Sequence, residues 1–324
     1  MRAIRYIHLA ALLASAAFAG EALAQNYPNK PIRMVVPFSP GGGVDLIGRA
    51  IAQKMQEAWG QPVIVDNRGG GGGNIGTDMV AKSPADGYTL LMGYVGNLAI
   101  NPWLFRKLPY DSLKDFAPVS LTTTAPNLLV AHPSAPVTTV KDLVALAKAK
   151  PGALSYASAG TGTVGHMVAE LFKSVAGTNI VHIPYKGNGT AVNDLLGGHV
   201  QLMFGAPGAM LPFVEAKRLK AIAISSTKRL PELPDTPTFA EAGFPKVEAS
   251  GWYGILVPAQ TPKAIIAALN REIVRIMNLP DVRERLAAHG YTPTTSTPEE
   301  FAQLIESDLV KWRDVVKASG ATAE

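Results

Sequence analysis

The sequence predicts an α/β fold with mostly parallel sheets, divided into two domains, and three observations carry that expectation. Short β-branched apolar runs alternate with amphipathic helical stretches along the chain. Turns marked by glycine and proline separate them. The chain has 324 residues, more than one hydrophobic core usually organises.

The elements follow in order. Ile32 to Val36 is a β-rich run, and a Ser39–Gly43 turn leads into a helix from Asp45 to Trp59. Leu46, Ile47, Ala50, Ile51, Met55 and Ala58 share one side of it. Val63 to Val65 is the next strand, Ile75 to Lys82 a short helix, and Thr89 to Met92 a strand after the Pro84-Ala85-Asp86-Gly87 turn. Asn127 to Ala131, Leu154 to Ala157, Ile180 to Pro184, Val200 to Phe204 and Leu219 to Ile224 continue the strands. Helices are expected at Val140–Lys150, Val164–Ala176 and Thr190–Leu196, the first opened by Thr139 with Asp142 three residues on, a variant capping box. Thr261-Pro262 and Thr297-Pro298 each place a cap residue before proline at the first helical position. Those helices should run toward Asn278 and Lys317.

The first 24 residues read as an export signal. Arg2 and Arg5 precede an apolar run from Leu9 to Ala19 broken only by Ser15, and Ala22-Leu23-Ala24 supplies a small-x-small cleavage site. The run is shorter than the roughly 20 residues a spanning helix needs. Cleavage after Ala24 is expected, leaving a soluble periplasmic chain that starts at Gln25. There is no cysteine, so disulfides, thiolate metal sites and a cysteine nucleophile are excluded. The net charge is +5. Residues 1–24 carry two basic and one acidic side chain, so the mature chain carries +4. No dense Lys/Arg patch with interleaved aromatics occurs, which argues against a nucleic-acid partner.

In parallel sheets ligands bind beyond the carboxyl ends of strands, so the loops there are the candidates. Three run into helix starts: Pro37-Phe38-Ser39-Pro40-Gly41-Gly42-Gly43, Ser158-Ala159-Gly160-Thr161-Gly162-Thr163 before the helix bearing His166, and Tyr185-Lys186-Gly187-Asn188-Gly189-Thr190. A fourth is the stretch from Gly93 to Asn97. Glycine lets backbone N–H groups approach a ligand, and a helix N-terminus adds free donors and partial positive charge. Together they make an anion site that needs no charged side chain. Each loop also reads as an ordinary turn. His166 reads equally as a core histidine, and Lys186 as a solvated charge. Asp45 supports its helix start or pairs with Arg49, and Gly69–Gly73 reads as a flexible turn.

Enzyme motifs do not emerge. Tyr156-Ala157-Ser158-Ala159-Gly160 lacks the first glycine of a nucleophile elbow. No P-loop occurs, the six histidines show no metal-ligand spacing, and the glycine run does not fit the dinucleotide fingerprint. The expectation is a chain that is not an enzyme and uses neither cofactor nor metal.

The chain resembles the Bug receptors, the periplasmic substrate-binding proteins of tripartite tricarboxylate transporters. The resemblance runs from about Tyr27 to the C-terminus. It is carried by Tyr27-Pro28-x-Lys30-Pro31, Val36-Pro37-Phe38-x-x-Gly41-Gly42-x-x-Asp45 and Gly73-Asn74-Ile75-Gly76, then by Asp86-Gly87-Tyr88-Thr89-Leu90-Leu91 and Phe116-Ala117-Pro118-Val119-Ser120. Ile183-Pro184-Tyr185-Lys186-Gly187 and Pro231-x-Leu233-Pro234-Asp235-x-Pro237-Thr238 continue it in order.

The resemblance implies a two-domain Venus-flytrap fold, type II-like, with two crossover strands. One domain would hold 26–125 plus about 229–324 and the other 126–228, with the return point between 226 and 247. It implies that a small carboxylate, aromatic or dicarboxylic, is captured by closure and passed to the membrane components of a transporter by a monomeric receptor. The same chemistry would suit a sensor subunit docking on a signalling receptor. The implied ligand-binding residues are Phe38, Ser39, Pro40, Gly41, Gly42, Asn97, Ser158, Gly160, Thr161, Gly162, His166, Tyr185, Lys186, Gly187, Thr190 and Gly205. Tyr94 and Trp103 stand near the cleft or in core or surface positions. Many relatives carry Asp after their Met-Phe pair, whereas here Met203-Phe204 is followed by Gly205. Ligands with an ammonium group should therefore bind poorly. Calorimetry with aspartate and glutamate checks this, and tight binding of either would overturn it.

Overall fold

The computed structural model describes residues 27–323; the export segment and its cleavage site lie outside them. The strands are β1 (Ile32–Val36), β2 (Val63–Asn67), β3 (Thr89–Tyr94), β4 (Phe116–Pro126), β5 (Leu128–Ala131), β6 (Ser155–Ser158), β7 (Val181–Pro184), β8 (Leu202–Gly205), β9 (Lys220–Ile224), β10 (Ser250–Pro258) and β11 (Thr292–Pro293). They form two sheets, β11-β4-β10-β3-β1-β2 and β7-β6-β8-β5-β9.

The two sheets share one plan. In the first, β1 pairs in parallel with β2 and β3, and β10 inserts antiparallel between β3 and β4. In the second, β6 pairs in parallel with β7 and β8. There β5 inserts antiparallel between β8 and β9. In each sheet the inserted strand is the one that has just arrived from the other lobe. This plan brings the carboxyl ends of β1, β3, β6 and β8 to one cleft between the lobes. Strands β4 and β10, which carry the crossings, were not among the expected elements.

The helices follow their caps. Thr139 and Asp142 form a capping box at Val140–Ala149, and Thr297 and Glu300 form another at Pro298–Ser319, with Pro298 in the first turn. The Thr261-Pro262 expectation is corrected. That helix spans Lys263–Met277 and Pro262 is itself the N-cap, in extended geometry. The Thr261 hydroxyl instead donates to the Pro258 carbonyl at 2.7 Å. The Pro298–Ser319 helix packs against both β4 and the Val164–Ala176 helix of the other lobe. No helix among the described residues is long and apolar enough to cross a membrane.

The crossings meet at one buried serine. The chain passes from β4 to β5 through Asn127, and the return comes between Ile224 and Ser250. Ser225 Oγ accepts the Asn127 N–H at 2.8 Å and donates to the Ala249 carbonyl at 2.5 Å. Its backbone donates to Asn127 and accepts from Ala249 at 2.9 and 3.0 Å. The intervening stretch stays on the second lobe, where Phe239 and Phe244 pack on Phe172. One hydroxyl therefore ties together all three connecting segments. Ser225→Ala leaves the buried Asn127 N–H without a partner and should lower stability by about 1–3 kcal/mol. Urea denaturation measures this; an unchanged midpoint would show that the junction is held by its backbone bonds alone.

Candidate ligand-binding cleft

The lobes touch at the cleft through hydrogen bonds from backbone N–H groups. The Ser39 N–H donates to the Lys186 carbonyl at 2.9 Å, and the Val164 N–H donates to the Tyr94 hydroxyl at 2.9 Å. The Gly70–Gly73 run has positive φ throughout and belongs to this rim. A methyl group added at Gly72 would sit 2.1 Å from the Thr161 carbonyl oxygen, so only glycine permits the approach. The stretch expected to be a flexible turn is a packed surface of the first lobe.

Below the rim lies a cavity with about 370 Å³ of space between atoms, little of it wider than a water molecule. Phe38, Gly42, Gly43, Val44, Tyr94 and Tyr253 line it from the first lobe, and Ala159, Thr163, Gly165, Asn188, Phe204, Gly205 and Ala206 from the second, with Asn127 at the crossing. No Lys, Arg, His, Asp or Glu is among these residues. Three helices start there. Gly43–Trp59 and Asn188–Leu196 are capped by Gly42 and Gly187, neither of which offers a side-chain acceptor. Val164–Ala176 is capped by Thr163, whose hydroxyl accepts from the His166 N–H. The cavity therefore presents backbone donors and partial positive charge without an ionised side chain.

The first of these termini is braced from behind. Asp45 is buried and accepts from Arg49 Nε at 3.0 Å, Asn67 Nδ2 at 2.9 Å and the Gly41 N–H at 3.0 Å. Both expected roles of Asp45, helix support and pairing with Arg49, are realised in one side chain.

Of the residues expected to bind ligand, Phe38, Gly42 and Gly205 line the cavity. Ser39, Pro40, Gly41 and Thr190 lie in an open groove on one flank, and Gly160, Thr161, Tyr185 and Lys186 in another. Gly187 sits under Ser39 at the rim, and Gly162 packs against Asn101. Asn97 is fully buried and away from the lining: it accepts from the Tyr94 N–H at 3.1 Å and donates to Thr77 Oγ1. Tyr185 donates to Asp194 at 2.6 Å. Trp103 is half-exposed on the outer surface, whereas Tyr94 is buried in the cavity wall.

Ser158 and His166 support the second-lobe loop. Ser158 Oγ accepts the Gly160 N–H at 3.1 Å and lies 2.7 Å from His182 Nε2. His166 Nδ1 accepts the Gly162 N–H at 3.2 Å, and its ring stacks on His182 at 4.3 Å. The Ser158–His182 pair superficially resembles a nucleophile and its base. However, Ser158 is fully buried, and no carboxylate orients His182 among the hydrogen bonds of the described residues. Burial pushes His166 down to about 4 and His182 down to about 3, with His166 and Lys173 adding to the effect on His182. Both rings are neutral supports at neutral pH.

Sequence reasoning passed over Asn127, Thr163, Asn188, Phe204 and Tyr253. Asn188 stood inside a flagged loop, between glycines at a helix start. It is 8% exposed, its Oδ1 has no hydrogen-bond partner, and it borders the cavity. Phe38, Tyr94, Tyr253 and Tyr291 form a continuous aromatic row with successive ring separations of 5.8, 5.1 and 5.7 Å.

Comparison with known proteins gives a consistent picture. The family model described as Tripartite tricarboxylate transporter family receptor matches residues 47–321. Protein BugT of Bordetella pertussis is 41% identical over 310 residues, which is 95% of each chain. The structure of R. palustris Rpa4515 with adipate superposes with a TM-score of 0.89 at 36% identity, covering 91% of this chain and 99% of that one. MatC from Rhodopseudomonas palustris with bound malate gives 0.86 at 33%, covering 90% and 100%.

The histidine pair makes stability depend on pH. Both groups have folded pKa values below the unfolded value near 6.5, so the unfolded chain binds more protons as pH falls. Their contribution is complete above about pH 6.5 and is lost from there down toward pH 4 and 3. The slope should approach about 1.4 kcal/mol per pH unit for each ring. Chemical denaturation across pH 7 to 4 measures it, and the His166→Gln/His182→Gln double variant should have a flatter profile. Parallel profiles in the two proteins would assign the acid sensitivity elsewhere.

Proposed function

The chain belongs to the tripartite tricarboxylate transporter receptor family, and from that premise we propose that it is an exported, non-enzymatic receptor for a small carboxylate. It has the two-domain α/β fold of periplasmic solute-binding proteins. In this reading the two sheets with their helices are the closing bodies. The first is residues 26–125 with the C-terminal part, the second runs from 126 through the stretch carried on its surface, and the Ser225 junction between them is the hinge.

The observation that carries the proposal is the convergence of two helix N-termini, capped only by Gly42 and Gly187, on a cavity that also holds the Asn188 side-chain amide, whose Oδ1 is unpartnered and whose NH2 donates to an anion when the amide is turned over. Uncapped backbone donors at helix starts favour an anion, and a carboxylate has enough acceptor sites to meet several of them. The adipate and malate held by the two R. palustris relatives are carboxylates. Closure then captures the ligand because both lobes contact it only when closed. The processed receptor, a monomer in the periplasm, delivers its ligand to the membrane components of the transporter.

A thermal-shift screen of the mature chain against mono-, di- and tricarboxylates tests the proposal. A ligand at 100 times its dissociation constant adds about 2.7 kcal/mol of stability, which raises the melting temperature by several degrees. Asn188→Ala should leave the melting temperature of the protein alone unchanged or slightly higher, because the amide it removes has no partner. The same substitution should weaken the best carboxylate about tenfold or more. Unchanged affinity would remove Asn188 from the site, and a screen without a hit would remove carboxylates as the ligand class.

A further inference from the structure

We propose that this cleft takes a carboxylate with a single anionic end and an apolar or aromatic body, and that the Tyr94 hydroxyl enforces this by occupying the second anion position. The inference rests on the carboxylate-receptor reading above and narrows it.

The three helix starts at the cavity are not equivalent. At Val164–Ala176 two of the first-turn donors are already engaged: the His166 N–H goes to the Thr163 hydroxyl, and the Val164 N–H goes to Tyr94 Oη at 2.9 Å. Tyr94 comes from the opposite lobe, at the end of β3. It places a neutral oxygen where an anion oxygen would sit on an open helix terminus. Phe38 meets the ring edge-on at 5.8 Å, and Tyr253 stacks on it at 5.1 Å. Glycine at 96 and 251 leaves room for the same ring, so the hydroxyl is held in place on all sides.

The other two termini have no side-chain cap, and they adjoin each other. A methyl group at Gly42 would lie 3.6 Å from the Asn188 nitrogen and 3.7 Å from its Cβ. Asn188 Oδ1, buried and unpartnered, lies 2.7 Å from the position a Cβ would take at Gly205. The two uncapped helix starts of the cavity thus meet at one end, around Gly42 and Asn188, while Asn127, Thr163 and Gly165 line the wall at the third helix start. Phe38, Phe204, Tyr94 and Tyr253 make up much of the remaining wall. A second carboxylate placed among those rings would be desolvated with no cation and no uncapped helix terminus to receive it. An ammonium group would fare no better, since no carboxylate lines the space.

Matched acid pairs test this by calorimetry on the mature chain: hexanoate against adipate, and benzoate against terephthalate. The wild type should bind the monoacid of at least one pair tenfold or more tightly than its diacid. Tyr94→Phe keeps the ring and frees the Val164 N–H, so it should shift the monoacid-to-diacid ratio toward the diacid by about tenfold. The ratio is the readout because any general loss of closure affects both members of a pair alike. A wild-type preference for the diacids, or a ratio that Tyr94→Phe leaves unchanged, overturns the inference while the receptor reading stands. Failure of all four acids to bind overturns the inference, and the receptor reading falls only if the wider carboxylate screen is also blank.

Discussion

The cleft depends on one constraint: helix N-termini that end in a water-poor space must find acceptors for their first-turn N–H groups. Three helices begin at this cavity. One of them meets most of the requirement within the protein, through Thr163 and Tyr94. The two with glycine caps do not, and the space between them contains no ionised side chain. That arrangement explains why the caps are glycine. A Ser or Asp cap would supply its own acceptor and close the terminus to a ligand. It also explains why Asp45, the nearest carboxylate in sequence, is turned back onto Arg49, Asn67 and Gly41, since a carboxylate facing the cavity would repel an anion.

The lobe architecture makes this convergence possible. In both sheets the strand entering from the other lobe inserts antiparallel between the third and fourth strands. This keeps the carboxyl ends of the parallel strands on the cleft side in both lobes. It also brings the two crossings together, so that one serine hydroxyl can bridge Asn127 and Ala249. The loops that close on each other are spaced at backbone contact. Glycine at 72 is therefore a steric requirement of closure as well as a turn residue.

Much of this was legible in the sequence, and the misses have physical causes. β1 and the Val164–Ala176 helix match the expected limits because their apolar pattern and flanking turn residues agree with the fold. β4 and β10 did not register because their sequences contain turn chemistry. β4 holds Pro118 and Pro126, and β10 holds Gly251 and Gly254. The structure shows what those glycines do. A Cβ at Gly254 would fall 2.3 Å from the Phe301 ring, and one at Gly251 would crowd Tyr94. Packing against aromatics, invisible to local periodicity, set the residue type. The glycine loops announced the cleft, but which of their residues face the cavity depends on how the lobes meet. For that reason Asn97 and Ser158 sit behind the lining, while Asn188 and Asn127 are part of it.

The rim and the cavity divide the energetics of capture. A ligand shifts the balance between open and closed forms only by the difference in its affinity for the two. The Ser39–Lys186 bond links the lobes directly at the rim. It adds the same increment to closure whichever ligand is present, so it raises the apparent affinity for every ligand equally and distinguishes none. Discrimination must then come from the cavity, where each acceptor on the ligand meets a backbone donor or an aromatic face. Backbone dipoles fixed in a rigid frame lose no side-chain entropy on binding, unlike a lysine or arginine that must be ordered. A receptor built this way reads the number and placement of anionic oxygens. Its mild positive charge, carried on surfaces outside the cavity, bears on how ligands arrive and not on which of them is held.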